Sequence, residues 1–431
     1  MDFLAIKPIH HPLATSVRVP GSKSLTNRAL LVAALADGTT TLVNALFSDD
    51  SRYFAEALAR LGFDVHSDPE RAAIRVTGLG GRIPAKQAEL YVGNAGTAAR
   101  FLTAMLTLAC GEYLLDGDTR MRERPIGDLV SALEQLGARI TNPKSKVENP
   151  KYLAPPIKVL ASGLPGGRAV VAGDISSQFL SGLLLVAPYA HTPVELVVER
   201  GLNSKPYVDM TLAVMSDFGV DVVRDGYERF TLTPACYRYK ETYPIESDAS
   251  AASYFFAAPA ILGGMLRVEN ISRKSKQGDI AFLDVLQQMG CTVAAGADFV
   301  EVTGPAELRG VDVDMRDISD TAQTLAAIAP FATSPTRIRG IGFIRAKETD
   351  RIGDTCAELR RLGVDVEEHE DGMTIRPCAS IQPGTVSTYN DHRMAMSFAL
   401  TGLRVPGIMI ENPACVSKTF PNFFEVLETL R

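Results

Sequence analysis

One phrase recurs along this chain at long intervals: an apolar helical stretch, a glycine, and then a short run suited to a strand. It occurs at residues 55–62 before Val65 and at residues 132–137 before Ile140, and returns at residues 215–219, 286–290 and 359–363. The glycines Gly62, Gly137, Gly219, Gly290 and Gly363 stand 71–82 positions apart. Each fits the position just past a helix C-terminus, where a left-handed backbone is easiest without a Cβ. One period later, residues 423–430 read as a closing helix. A second phrase is offset from the first: small polar residues open an Ala-rich apolar helix, and a strand follows. The openings begin at Ser22, Asn94, Asp174, Asp248, Asp320 and Asn390. Strands are predicted after such helices at residues 40–44, 113–116 and 194–199.

The repeating unit is therefore about 70–80 residues long, with two helices and several strands, and it occurs six times. That is longer than the ~20–50 residues of the usual solenoids. Three units in each of two domains is the more natural arrangement. The 431 residues, 46% of them hydrophobic, also exceed one ordinary core. The break is placed near residues 243–247, and residues 1–20 could pair with either half. The polar residues 142–149 read as a surface loop.

Net charge is −6 with 22% charged residues, which argues against a broad nucleic-acid or membrane surface. The most apolar stretch, residues 179–187, is too short to span a bilayer. The first residues lack a secretory or transit pattern, so a cytoplasmic protein is expected. Cys110, Cys236, Cys291, Cys356, Cys378 and Cys415 are scattered without Cys-x-x-Cys. Buried or idle thiols are expected, not disulfides or a zinc site.

Each first-helix opening offers N-cap groups, and helix N-termini favour anions. If the units pack symmetrically, several such ends could face one cleft. Cations stand near the second helices: Arg52; Arg120, Arg122 and Arg124; Lys205; Arg273, Lys274 and Lys276; Lys347 and Arg351; and Lys418. Recurrence at one phase of the repeat points to a phosphate or carboxylate ligand. Lys347 and Arg351, four apart on a predicted helix, would repel by about 0.2–0.5 kcal/mol without an anion. The Walker-type and G-x-G-x-x-G loops are absent, so a nucleotide is not indicated. Asp320 and Glu348 sit among these cations and suit proton exchange. No histidine shows metal-ligand spacing, and no nucleophile–base pair is evident.

The blocks Pro20 to Ser24 with Asn27 and Arg28, Gly93 to Thr97, Arg122 to Gly127, Ser176 to Gln178, Ser204 to Tyr207, Lys347 to Arg351, Asp391 to Ala395 and Lys418 to Pro421 resemble one family in order. It is the 5-enolpyruvylshikimate-3-phosphate synthase family of the shikimate pathway. The resemblance implies an α/β fold, a two-domain inside-out α/β barrel with three βαβαββ-like repeats per domain. It implies one domain over residues 21–245 and another over 1–20 plus 246–431, closing on the substrates. It implies transfer of the enolpyruvyl group of phosphoenolpyruvate to the 5-hydroxyl of shikimate 3-phosphate through a tetrahedral intermediate, with no cofactor and no metal.

By the same resemblance, Lys23, Ser24, Arg28, Ser176, Ser177, Gln178, Ser204, Tyr207, Asp320 and Lys347 would hold shikimate 3-phosphate. Lys23, Asn94, Gly96, Thr97, Arg124, Gln178, Arg351, His392, Arg393 and Lys418 would hold phosphoenolpyruvate. Asp320 would deprotonate the 5-hydroxyl, and Glu348 with Lys23 would protonate the methylene carbon. A cytoplasmic monomer that binds neither nucleic acid nor membrane is expected. Gly96 goes with susceptibility to glyphosate in this family. Phe101 and Phe343 depart from the Pro and Asn of many members.

Two other readings remain at this point. The related transferase acting on UDP-N-acetylglucosamine usually has a reactive Cys in the loop at residues 118–124. None stands there, and Cys110 is placed in an apolar helix. A non-catalytic sugar-phosphate binding protein would not need Asp320 and Glu348.

Overall fold

The computed structural model describes residues 2–143 and 153–431. The chain divides into two compact units, Gly21–Ile245 (the first unit) and Met1–Pro20 with Glu246–Arg431 (the second).

The repeat seen in the sequence is one sheet with two helices. Its plainest copy runs strand Gln87–Tyr91, helix Gly96–Leu106, strand Cys110–Asp116, helix Gly127–Gln135, then strands Ile140–Thr141 and Ile157–Ser162. The first two strands are parallel, Gln87 lying beside Glu112. The last strand runs antiparallel to the second, and the third lies outside it. The same order holds for Gly167–Ala172, Val194–Glu199, Val223–Asp225 and Arg229–Leu232. It holds again for Asp312–Asp314, Thr336–Arg339, Val366–His369 and Gly372–Ile375.

Three sheets borrow a strand from far away in sequence. Thr242–Pro244 supplies the parallel edge of Asp37–Val43. Leu13–Arg18 does the same for Gly264–Glu269. Phe3–Ala5 runs antiparallel to Ile408–Glu411, which is parallel to Gly384–Val386. Phe3–Ala5 and Leu13–Arg18, which the repeat pattern alone could assign to either half, thus complete two sheets of the second unit.

The first helix of every repeat is buried nearly all round. Gly96–Leu106 and Ala322–Ile328 bury every residue, and Lys23–Leu35, Ser177–Val186, Ala249–Leu262 and His392–Arg404 nearly every one. Small residues permit this: a Cβ on Gly182 would meet Ala104 and the Arg100 carbonyl at 3.6 and 3.4 Å. The second helices are amphipathic, Asp49–Arg60 turning Phe54, Ala57 and Leu58 inward. Helices therefore form each core and the sheets surround them. All five punctuating glycines take positive φ, from 80° at Gly363 to 108° at Gly290.

Several expectations are corrected. Ser22, Ser176, Asp248 and Asp391 do cap their helices through side chains. Ala95 and Thr321, at the other two caps, do not. Cys110 is an exposed residue at the start of an interior strand, because the preceding helix ends at Leu106 with Thr107 Oγ1 bonded back to Ala104 O at 2.7 Å. Lys347 and Arg351 do not share a helix. Asp350 Oδ1 accepts from Ile352 N and Gly353 N at 3.1 and 2.9 Å, which delays the helix to Gly353–Arg361. The closing helix is Phe423–Glu428. Most of the polar stretch at 142–149 lies outside the described residues. Among the described residues, no helix is long and apolar enough to cross a membrane.

Deleting residues 2–20 should leave Gly21–Ile245 folded while the second unit loses an edge of two sheets. Limited proteolysis of the truncated chain is expected to leave a resistant fragment of residues 21–245. Full resistance of residues 246–431 in that experiment would contradict the pairing.

Candidate active site

In the first unit the predicted residues gather at the ends of the buried helices. Lys23 opens Lys23–Leu35, and its Nζ lies 3.5 Å from Asp50, a carboxylate with 3% side-chain exposure. Arg28, one turn further, is buried. Its Nε donates to Thr211 Oγ1 at 2.8 Å, Nη1 to Ser24 O at 3.0 Å and Nη2 to Tyr207 O at 2.9 Å. Its guanidinium carbon stands 5.3 Å from the centroid of the buried Phe101 ring. Among the described residues no carboxylate pairs with it. Burial accordingly pushes this guanidinium down to about 10. Arg28 thus braces the backbone at Ser24 and Tyr207 from within. Ser204, which precedes helix Lys205–Asp217, holds a left-handed backbone, φ 57°. That conformation costs a residue with a Cβ about 1–2 kcal/mol.

Arg124 lies across the start of Gly96–Leu106. Its Nη1 donates to Asn94 O at 3.0 Å and Asn94 Oδ1 at 2.8 Å. A Cβ on Gly96 would stand 2.6 Å from Arg124 Nη2. A guanidinium and a helix N-terminus are both positive, so their apposition favours an anion. Gln178, at the start of Ser177–Val186, reaches Thr97 Oγ1 at 3.3 Å, so these two helix ends adjoin. Ser177 is buried beside it, and Ser176 Oγ is engaged as the cap, accepting from Gln178 N at 3.3 Å.

The second unit holds a denser cluster around Arg351. Arg351 Nε donates to Asp391 Oδ2 at 2.7 Å, Nη2 to Glu348 Oε2 at 2.8 Å, and Nη1 to Asp320 Oδ1 at 3.3 Å. Arg393 Nη2 reaches Asp320 Oδ2 at 2.7 Å, and its Nη1 reaches Asp320 O at 2.9 Å. Lys418 Nζ lies 3.8 Å from Glu348 Oε1. His392 is fully enclosed, with Nδ1 3.3 Å from Asp391 Oδ1. Side-chain exposure ranks the carboxylates as Asp320 18%, Glu348 7% and Asp391 0%. The first two can meet a ligand, and the third anchors the cluster. Lys347 Nζ stands 5.9 Å from the Phe343 ring centroid.

Three cations, Arg351, Arg393 and Lys418, face three carboxylates here. The recurrent cations also divide. Arg52, Arg120, Arg122 and Arg273 form exposed ion pairs with Asp49 and Glu56, Glu123, Asp116 and Asp284. Such pairs contribute little. Arg124, Arg351 and Lys418 are buried beside the helix ends.

A sequence model of the EPSP synthase (3-phosphoshikimate 1-carboxyvinyltransferase) family matches residues 8–427. A 3-phosphoshikimate 1-carboxyvinyltransferase of Trichormus variabilis is 51% identical over 424 residues, covering 98% of each chain. One from Vibrio atlanticus is 45% identical over 432 residues, covering both chains entirely. This chain belongs to the EPSP synthase family. The solved EPSP synthase from Acinetobacter baumannii superposes with a TM-score of 0.81 at 26% identity, over 99% of this chain and 98% of that one. The enolpyruvyl transferase NikO from Streptomyces tendae shares the fold, with a TM-score of 0.76 at 20% identity and coverage of 99% and 97%.

Sequence reasoning missed three charged residues. Asp391 was read as part of a helix opening, and Asp50 was not singled out. Arg100 donates to Gly96 O at 3.3 Å and Pro125 O at 2.8 Å, tying the helix start to the residue after Arg124. An arginine inside an Ala-rich helix was the available signal.

Replacing Asp391 with Ala removes the cap of His392–Arg404 and the shortest ion pair of Arg351. Breaking a buried pair from one side costs about 3 kcal/mol or more. Denaturant unfolding should show a loss of that size; a loss below about 1 kcal/mol would mean the pair is not held as described.

Proposed function

We propose that this chain transfers the enolpyruvyl group of phosphoenolpyruvate to the 5-hydroxyl of shikimate 3-phosphate, releasing phosphate, as a monomer in the cytoplasm. The observation that carries the reading is the Arg351 cluster, where a partly open carboxylate, Asp320, and a nearly buried one, Glu348, stand among cations. An addition–elimination needs a group that accepts a proton and one that donates a proton, beside fixed positive charge.

In this reading Lys23, Ser24, Arg28, Ser176, Ser177, Gln178, Ser204, Tyr207, Asp320 and Lys347 hold the shikimate 3-phosphate. Asn94, Gly96, Thr97, Arg124, Gln178, Arg351, His392, Arg393 and Lys418, with Lys23, hold phosphoenolpyruvate. Direct contact suits the open groups; Arg28 and His392 act from buried positions through the residues they brace.

Asp320 takes the 5-hydroxyl proton as that oxygen bonds to C2 of phosphoenolpyruvate. Glu348 or Lys23 delivers a proton to C3, turning the methylene into a methyl group. The tetrahedral intermediate then loses phosphate from C2 and a proton from the methyl group, which restores the double bond as an enol ether. Positive groups stabilise the departing phosphate, and no cofactor enters the balance.

Release of inorganic phosphate should require both phosphoenolpyruvate and shikimate 3-phosphate. Release only with UDP-N-acetylglucosamine, or binding without turnover, would overturn the reading. Glu348→Gln should lower kcat by about two to four orders of magnitude while changing substrate affinity little. Turnover at the full rate would remove Glu348 from proton transfer.

Glyphosate is expected to compete with phosphoenolpyruvate beside Gly96. A methyl group there would displace the Arg124 guanidinium, whose Nη2 leaves only 2.6 Å. Gly96→Ala should therefore raise the inhibition constant for glyphosate, the longer molecule, at least about tenfold more than KM for phosphoenolpyruvate. Equal changes in steady-state kinetics would contradict this.

A further inference from the structure

The residues before Asp391 form a turn closed by Asp391 N donating to Thr388 O at 2.8 Å. Both central residues are left-handed, Tyr389 with φ 51° and Asn390 with φ 57°. Asparagine is common in that region, whereas a bulky residue such as tyrosine is an outlier. Such backbone persists only where its surroundings over-determine it. Here the turn leads directly into Asp391, His392 and Arg393.

One buried carboxylate grips this turn. Glu358, on helix Gly353–Arg361, is 0% exposed. Its Oε2 accepts from Ser387 N at 3.1 Å, and its Oε1 accepts from the Tyr389 hydroxyl at 2.8 Å. Burial, and then Glu358 itself, pushes the Tyr389 phenol up to about 12, so it remains a donor. Asn412 Nδ2 adds an exposed bond to Asn390 Oδ1 at 3.2 Å. No step of the proposed reaction uses Glu358. Its helix begins two residues after Arg351, so the same two segments are joined twice. Arg351 meets Asp391 at one end, and Glu358 meets Ser387 and Tyr389 at the other.

We propose that Glu358 is a positioning residue for the phosphoenolpyruvate-binding arginines, holding the left-handed turn that delivers Asp391 and Arg393 to Arg351 and Asp320. This deepens the enolpyruvyl-transfer reading and rests on it. Glu358→Gln keeps the shape of the side chain but weakens both accepted bonds and removes the ion pair of Oε2 with Arg361 Nη1 at 3.1 Å. It should raise KM for phosphoenolpyruvate about tenfold, as small misplacements near a site do, while KM for shikimate 3-phosphate stays within about twofold. Adding Tyr389→Gly should recover most of the loss, because glycine takes left-handed dihedrals freely at the strained position. Equal rises for both substrates, or no recovery with Tyr389→Gly, would overturn the proposal. Tyr389→Phe leaves the carboxylate intact and provides the same test if Glu358→Gln does not fold. Hydrogen exchange read without substrate separates this proposal from the activity it rests on. The Asp391 and Arg393 amides should exchange at least about tenfold faster in Glu358→Gln. Unchanged exchange overturns the positioning role; faster exchange in a chain that lacks turnover supports it while removing the assigned reaction.

Discussion

A helix enclosed on every side has only its ends left for polar chemistry. Six such helices organise this chain, three in each unit, and everything else follows from enclosing them. Their flanks are rich in Ala, Leu and other small or apolar residues, which lets neighbouring elements approach closely. Their N-termini keep unpaired N–H groups and partial positive charge. Within each unit adjoining ends meet, Thr97 with Gln178 and Asp320 with Arg393. A small anion can therefore be bound by backbone and side chain together, without a dedicated glycine-rich loop.

The two sets of helix ends solve the charge problem differently. In the second unit, Arg351 and Arg393 are balanced by carboxylates at distances of 2.7–3.3 Å. Desolvation of such groups is costly, and mutual pairing offsets it. In the first unit Arg28 is enclosed by neutral acceptors, and Arg124 bonds to an amide and a carbonyl. The second carries its counter-charges within itself.

The architecture was readable where one residue decides a backbone angle. The five punctuating glycines marked helix ends because only glycine tolerates φ near 80–108° cheaply. The period of the repeat then gave two helices per sheet. Strand partners were not readable where they lie far apart, as with Leu13–Arg18 beside Gly264–Glu269, because periodicity carries no information on pairing. Most candidate site residues were named through the family resemblance. Local pattern alone mistook Lys347 and Arg351 for helix neighbours, since the Asp350 side chain moves the helix start. It also missed Asp391 as a partner of Arg351, forty positions away.

The borrowed strands set an order for biosynthesis. Phe3–Ala5 and Leu13–Arg18 leave the ribosome well before their partners, Ile408–Glu411 and Gly264–Glu269. At roughly 5–20 residues per second, the leading strand waits about 20–80 s for its mate. Meanwhile Gly21–Ile245 is contiguous and can fold as it emerges. The nascent chain therefore carries two unmatched edges through most of its synthesis. Their brevity, three and six residues, limits how well a neighbouring chain could capture them.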